Sequence, residues 1–233
     1  MFENKPIFGM VHMAPGPMGT PARAMREMRI MQSNGVDGVI LENYHGSTTD
    51  ILETLMDMSG FKIKIGVNVL PNDFERAFKL AGNFYCDFIQ MDYISGKYNR
   101  CTKLDVSKYK SLRKQYPRIK VLGGVWPKYY YPVNGSVLED DIKEAMDLCD
   151  AIVVTGSGTG KETPLEKIKK FREICGDFPL IVGAGLNPKN VKEQLSIADG
   201  GIVGSTFKPL GDTTAFVDHG LVEDFMKAKN GIS

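Results

Sequence analysis

Long apolar runs, paired cysteines and charge imbalance are all missing from this chain of 233 residues. Uninterrupted apolar stretches such as Ala151 to Val154 run to only a few residues, far below the ~20 needed to cross a bilayer. After Glu3, Asn4 and Lys5 the chain enters a strand-like run, with no signal core and no small-residue cleavage site. A cytoplasmic protein without membrane insertion is expected. The four cysteines, Cys86, Cys101, Cys149 and Cys175, have no CxxC spacing and read as reduced thiols, mostly in the core. Lys and Arg total 29 against 28 Asp and Glu, a net charge of +1, which gives no electrostatic reason to expect nucleic acid or an anionic membrane as partner. With 42% hydrophobic and 24% charged side chains, the chain is globular with a sizeable core, and a small molecule is its expected partner.

What is present is alternation. Eight short aliphatic runs, at Ile7 to Val11, Gly38 to Leu41, Lys64 to Val69, Phe88 to Met91, Val121 to Val125, Ala151 to Thr155, Leu180 to Val182 and Gly201 to Val203, read as strands. Between them the apolar spacing changes to that of a helix: Phe74, Ala77, Phe78 and Ala81, and again Ile142, Ala145, Met146 and Cys149, fall at i, i+3, i+4 and i+7. Eight such units, without consecutive strands or a linker of biased composition, predict one parallel (β/α)₈ barrel of the TIM type over residues 1–233. An open nucleotide-binding sheet is disfavoured, because the first strand-to-helix turn, His12-Met-Ala-Pro-Gly-Pro-Met-Gly19, lacks the GxGxxG order.

Such a barrel builds its site at the carboxyl ends of the strands. There the sequence places His12, Glu42, Asn43, Asn68, Asp92, Lys128, Thr155-Gly156-Ser157, Gly183, Gly185, Gly204 and Ser205. Lys5, Asp37, Lys62, Lys120, Asp150 and Asp199 fall at the opposite ends, where they read as solvated or stabilising charges. Thr155-Gly-Ser-Gly-Thr-Gly-Lys161 resembles a Walker A loop but fails it twice, since Thr155 stands at the first glycine and Glu162 replaces the hydroxyl after the lysine. It reads instead as a loop in which Thr155, Gly156 and Ser157 offer donors to substrate.

The strongest anion signal is the pair of glycine-rich ends Val182-Gly-Ala-Gly185 and Ile202-Val-Gly-Ser205, where backbone N–H groups can approach a phosphate. Gly183, Gly185, Gly204 and Ser205 are the expected phosphate-binding residues, and Gly185→Val should occlude the anion with the core intact; tight turns are the alternative reading. Glu42 and Asp92 are the candidates for proton transfer, with His12 beside them and Asn43 and Asn68 orienting substrate. Glu42 is either a half-buried acid with a raised pKa or one member of a structural ion pair. A divalent metal on His12, Glu42 and Asp92 is a further alternative, although the spacing carries no signature like HExxH. Lys128, in Trp126-Pro-Lys-Tyr-Tyr-Tyr-Pro132, raises Schiff-base chemistry, but contact with a phosphate or carboxylate, or with developing negative charge, is its expected duty. The loop from Tyr93 to Lys103, carrying Lys97, Arg100 and Lys103, either closes over an anionic ligand or is simply solvated.

Several of these motifs in register, Phe8-Gly-Met-Val-His12, Val36-Asp-Gly-Val-Ile-Leu-Glu-Asn43, Gly66-Val-Asn-Val69, Val154-Thr-Gly-Ser157, Ala198-Asp-Gly200 and Ile202-Val-Gly-Ser205, resemble the BtpA/SgcQ family over almost the whole chain. The resemblance implies a barrel of the ribulose-phosphate-binding kind. One branch of that family is linked to photosystem I biogenesis, and others occur in carbohydrate-utilisation contexts. The chain departs from the family pattern around the fifth strand, where Gly124 and Lys128-Tyr129 stand in place of an Asp and a Lys-His pair, which implies a different substrate in this branch. The expected function is acid–base chemistry on a small phosphorylated metabolite, a sugar phosphate or nucleotide-like compound, by isomerisation, aldol cleavage or glycosidic-bond cleavage. The alternative is a non-catalytic assembly or regulatory protein that retains the phosphate cradle and uses the Trp126 to Tyr131 loop as its contact patch. Homo-oligomerisation is left open.

Overall fold

The computed structural model describes residues 1–99 and 101–231; Arg100, in the loop after the fourth strand, lies outside them. Eight strands, β1 (Ile7–Val11), β2 (Gly38–Glu42), β3 (Lys64–Asn68), β4 (Phe88–Met91), β5 (Lys120–Gly124), β6 (Ala151–Val154), β7 (Leu180–Val182) and β8 (Gly200–Val203), pair in parallel. Pairing of β1 with β8 closes the barrel in sequence order. Helices α1 (Thr20–Ser33), α2 (Thr48–Asp57), α3 (Phe74–Asn83), α4 (Val106–Gln115), α5 (Leu138–Met146), α6 (Leu165–Cys175), α7 (Val191–Ile197) and α8 (His219–Asn230) follow the strands one by one. Strand limits differ from the sequence reading by one residue at most: Val69, Val125 and Thr155 lie just outside β3, β5 and β6, while Glu42, Lys120 and Gly200 belong to β2, β5 and β8.

Two-residue periodicity sorts each strand's side chains between two cores. Phe8, Met10, Ile40, Phe88, Leu122, Val153, Ile181 and Ile202 fill the barrel interior, whereas Ile7, Val11, Val39 and Leu41 pack outward against the helices. The interior is filled by rings that need a small neighbour: the Phe8 and Phe88 centroids lie 5.0 Å apart, and a Cβ on Gly66 would meet the Phe88 ring at 2.2 Å. Burying each such ring contributes on the order of 2–3 kcal/mol. Helix α3 buries Ala77, Phe78, Leu80 and Ala81 along one stripe, and its first turn is capped by Asp73, which accepts the Arg76 amide. Ser47 and Asp50 form a capping box on α2.

The amino ends of the strands are closed by aspartates. Asp37, Asp87, Asp150 and Asp199 stand directly before β2, β4, β6 and β8, and each carboxylate accepts a backbone N–H of the preceding strand: Ile7, Ile65, Val121 and Leu180, at 2.8–2.9 Å. Asp150 also binds Arg113 at 2.9 Å and Lys120 at 3.0 Å, and Asp199 binds Arg172 at 2.5 Å. These charges satisfy main-chain donors and tie neighbouring strands together; Asp37, Asp150 and Asp199 stand where the sequence reading put them, and Asp87 joins them.

Candidate functional site

At the carboxyl ends the polar side chains converge on a cavity of about 280 Å³. The β2–β3 register sets Glu42 directly beside Asn68. Asn68 Nδ2 donates to Glu42 Oε1 at 2.8 Å and to Asp92 Oδ1 at 3.4 Å, so a fully buried amide joins the two carboxylates. Tyr130 Oη donates to the other Asp92 oxygen at 2.6 Å. His12 Nε2 stands 4.0 Å from Glu42 Oε2, its ring packed against Tyr44 at 5.3 Å. His12 Nδ1, Asn68 Oδ1 and Gln90 Oε1 are buried without a hydrogen-bond partner in the protein, which leaves them free to bond to water or a ligand.

Glu42 is 8% exposed. Burial, and then repulsion from Asp92, push its pKa from 4.5 to about 7, against the pull of Lys128, the Asn68 hydrogen bond and Lys208. Burial, followed by the positive charges of Lys208 and Lys128, holds His12 well below its usual value. Near neutrality the pair therefore consists of a neutral imidazole and a carboxyl poised to gain or lose a proton. Among the described residues no Lys or Arg is ion-paired to Glu42, and its basic neighbour is His12. No group of three or more His, Cys, Asp or Glu among the described residues is gathered closely enough to hold an ion. Asp92 spends its oxygens on Asn68 and Tyr130 instead.

The loops above are fastened to one another. The Lys128 amide donates to Thr155 Oγ1 at 2.7 Å and its Nζ to Thr159 Oγ1 at 3.2 Å, while the Thr159 amide donates to Tyr129 Oη at 2.8 Å. From α6, Lys167 Nζ reaches the carbonyls of Trp126 and Thr155 at 3.1 and 2.8 Å. Opposite the carboxylates, Gly183, Gly185, Gly204 and Ser205 line the cavity. Gly185 has a φ of +71°, and a Cβ there would lie 2.3–2.4 Å from the backbone of Glu162 and Lys161. Gly185→Val would therefore force two loops apart, so it is not a clean probe of anion binding.

Other expected binding residues turn out to support their neighbours. Asn43 accepts the Leu70 amide at 2.7 Å and so braces the turn after β3, rather than lining the cavity. Gly156 and Ser157 also lie outside the cavity lining; Thr155, Thr159 and Gly160 are the members of that loop that face it. Sequence reading missed Tyr130, Gln90 and Lys208. Lys208 is 1% exposed, donates to the Thr213 carbonyl at 2.8 Å, and is lowered by burial to about 8. Thr213 in turn meets His45 Nε2 at 2.8 Å. Nothing in Phe207-Lys-Pro209 signals a buried ammonium.

The BtpA family model matches residues 3–231. The chain belongs to the BtpA family. It is 31% identical to an uncharacterised protein of Methanocaldococcus jannaschii, covering 94% of this chain and 92% of that protein. It is 24% identical to the photosystem I biogenesis protein BtpA of Synechocystis, covering 97% and 88%. Among solved structures, N-(5'-phosphoribosyl)anthranilate isomerase of Pyrococcus furiosus superposes with a TM-score of 0.64 at 14% identity, over 98% of this chain and all of the other. Mycobacterium tuberculosis tryptophan synthase gives 0.68 at 11% identity, over 96% and 92%. At these identities the likeness is one of fold.

Proposed function

We propose that this BtpA family barrel is an enzyme acting on a small phosphorylated metabolite, a sugar phosphate or nucleotide-like compound, by acid–base chemistry. The observation that carries the reading is the buried Glu42 carboxyl, raised to about 7 and set 4.0 Å from a neutral His12 at the edge of a closed-sided cavity. A carboxyl that titrates near neutrality, beside a neutral imidazole on the same cavity wall, offers the proton exchange that isomerisation, aldol cleavage or glycosidic cleavage requires. Glu42 exchanges the substrate proton, with His12 as its counterpart. Asp92, fixed by Asn68 and Tyr130, holds a substrate hydroxyl, and Lys128 neutralises developing negative charge. Gly183, Gly204 and Ser205 supply the phosphate end, and Gly185 shapes the loop around it. The phosphoribosyl isomerase of the same fold and the cavity-facing glycines support that polarity.

The test is a thermal-stabilisation screen with sugar phosphates, nucleotides and inorganic phosphate. A ligand at a hundred times its Kd stabilises by about 2.7 kcal/mol, and Ser205→Asp, which sets a negative charge at the phosphate end, should weaken the hit at least ~tenfold. A flat screen favours a second reading, a non-catalytic biogenesis protein like the Synechocystis relative. Tyr129 and Tyr131, 58% and 72% exposed on the loop after β5, are its available contact surface.

A further inference from the structure

A second cavity, of about 360 Å³, lies beside the first, over the loops that follow β3 and β4. Pro71 and Tyr130 line both, so the two spaces share a wall. Tyr130 serves each side differently. Its hydroxyl is bound to Asp92 in the first cavity, while its ring packs on Tyr93 at 5.2 Å between centroids and on Tyr98 at 5.9 Å.

Phe74, Tyr93 and Leu104 supply the rest of the apolar side of the second cavity, whose other side is polar. That lining is held in place before any ligand arrives. Asn72 donates to the Tyr93 carbonyl at 3.0 Å and accepts its amide at 3.2 Å, and Tyr93 Oη donates to the Thr102 carbonyl at 2.7 Å. The acids on the rim are already engaged: Asp73 accepts the Arg76 amide at 3.0 Å, and Glu75 pairs with Lys108 at 2.5 Å. Lys103, which also borders the space, is exposed. Against Phe74, Tyr93 and Tyr130 a neutral flat ring would gain stacking and apolar contact.

We propose that the second cavity is a subsite for an uncharged ring, carried on the same substrate whose phosphate end lies at β7 and β8. This rests on the proposed function for the identity of the phosphate end. The order across the barrel mouth is then the glycines of β7 and β8, the Glu42 and Asp92 carboxylates, and the Tyr130 wall with the ring beyond it. The bond that joins the ring to the phosphorylated part of the substrate passes beside Asp92 and Tyr130. The substrate class is a phosphorylated compound with a neutral ring at the end remote from its phosphate.

The test uses indole for the ring and inorganic phosphate for the anion, titrated separately by calorimetry into the intact protein and two variants. Thr102→Trp fills the second cavity from an exposed lining position, and Ser205→Asp opposes the anion. Indole should bind the unmodified protein and lose at least ~tenfold in affinity to Thr102→Trp, with phosphate binding unchanged there; Ser205→Asp should do the reverse. Failure of indole to bind, or equal binding to Thr102→Trp, overturns the subsite. Indole binding that Thr102→Trp abolishes in a protein indifferent to phosphate supports the ring subsite and overturns the phosphate end.

Discussion

Carboxylates occupy both ends of this barrel, and the two ends treat them in opposite ways. At the amino ends Asp150 has the Val121 amide, Arg113 and Lys120 around it. Burial pushes its carboxyl up, but these partners outweigh burial and hold it below its usual range. At the carboxyl ends Glu42 accepts one hydrogen bond, from the Asn68 side-chain amide, has a second carboxylate close by, and is raised to about 7. The difference shows where the fold uses charge to hold itself together and where it tolerates an uncompensated acid. Tolerance of that kind is what the acid–base role proposed for Glu42 requires.

The sharpest way to break the comparison is to remove one carboxylate from each end. Glu42→Gln keeps the volume and discards the exchangeable proton, so turnover on a substrate found in the stabilisation screen should fall by roughly 10²–10⁴ with folding retained. A clear loss of melting temperature with near-normal turnover would make Glu42 a scaffold residue and move the acid–base role to Asp92. Asp150→Ala should do the opposite. Losing a main-chain acceptor and two cation partners should cost about 2–4 kcal/mol in denaturant unfolding, with turnover per folded molecule unchanged.

The pH dependence of stability sharpens the contrast. Between 4.5 and about 7 the folded protein keeps the Glu42 proton that the unfolded chain has released, so this contribution is full below 4.5 and is lost as pH rises through about 7. The amount is at most about 3 kcal/mol. Asp150 has the reverse sign: its contribution is full above the ordinary value of 3.8 and is lost as pH falls through its lowered folded value. Unfolding midpoints at pH 5 and pH 8 should therefore show Glu42→Gln gaining on the unmodified protein at the higher pH; parallel curves would contradict the raised pKa. The smallest expected effect is that of Lys208→Met, which removes the largest charge acting on His12. An NMR titration should find the His12 pKa moved upward.

Much of this architecture is legible in the sequence because it depends on local periodicity. The eight aliphatic runs are the eight strands, and Asp37, Asp150 and Asp199 stand at the amino ends where the alternation places them. Strand-end position likewise brings out His12, Glu42, Asn68 and Asp92, since a residue that ends a barrel strand has little choice of where to project. The rest depends on how loops fold over one another, which has no period. Tyr130 reaches Asp92 across 38 residues, and Lys208 is buried by a turn whose backbone strings together two short 3₁₀ segments. Gly185 is the instructive case, because a glycine needed for loop packing and one needed for anion approach are the same letter.

The aspartates at the amino ends carry one more consequence. Through its main-chain bond each joins an odd-numbered strand to the even one after it, β1 to β2, β3 to β4, β5 to β6 and β7 to β8; among the described residues only side-chain pairs, Arg113 of α4 with Asp150 and Arg172 of α6 with Asp199, carry these carboxylates across an even-to-odd seam. Across the β4–β5 seam the corresponding link is main chain to main chain, from the Lys120 amide to the Asp87 carbonyl. The barrel is thus stitched in quarters, and new chain ends placed between α4 and β5 would leave two intact stitches in each half. Two-piece reassembly and circular permutation should be tolerated at that seam, and resisted wherever the new ends part a strand from its own aspartate.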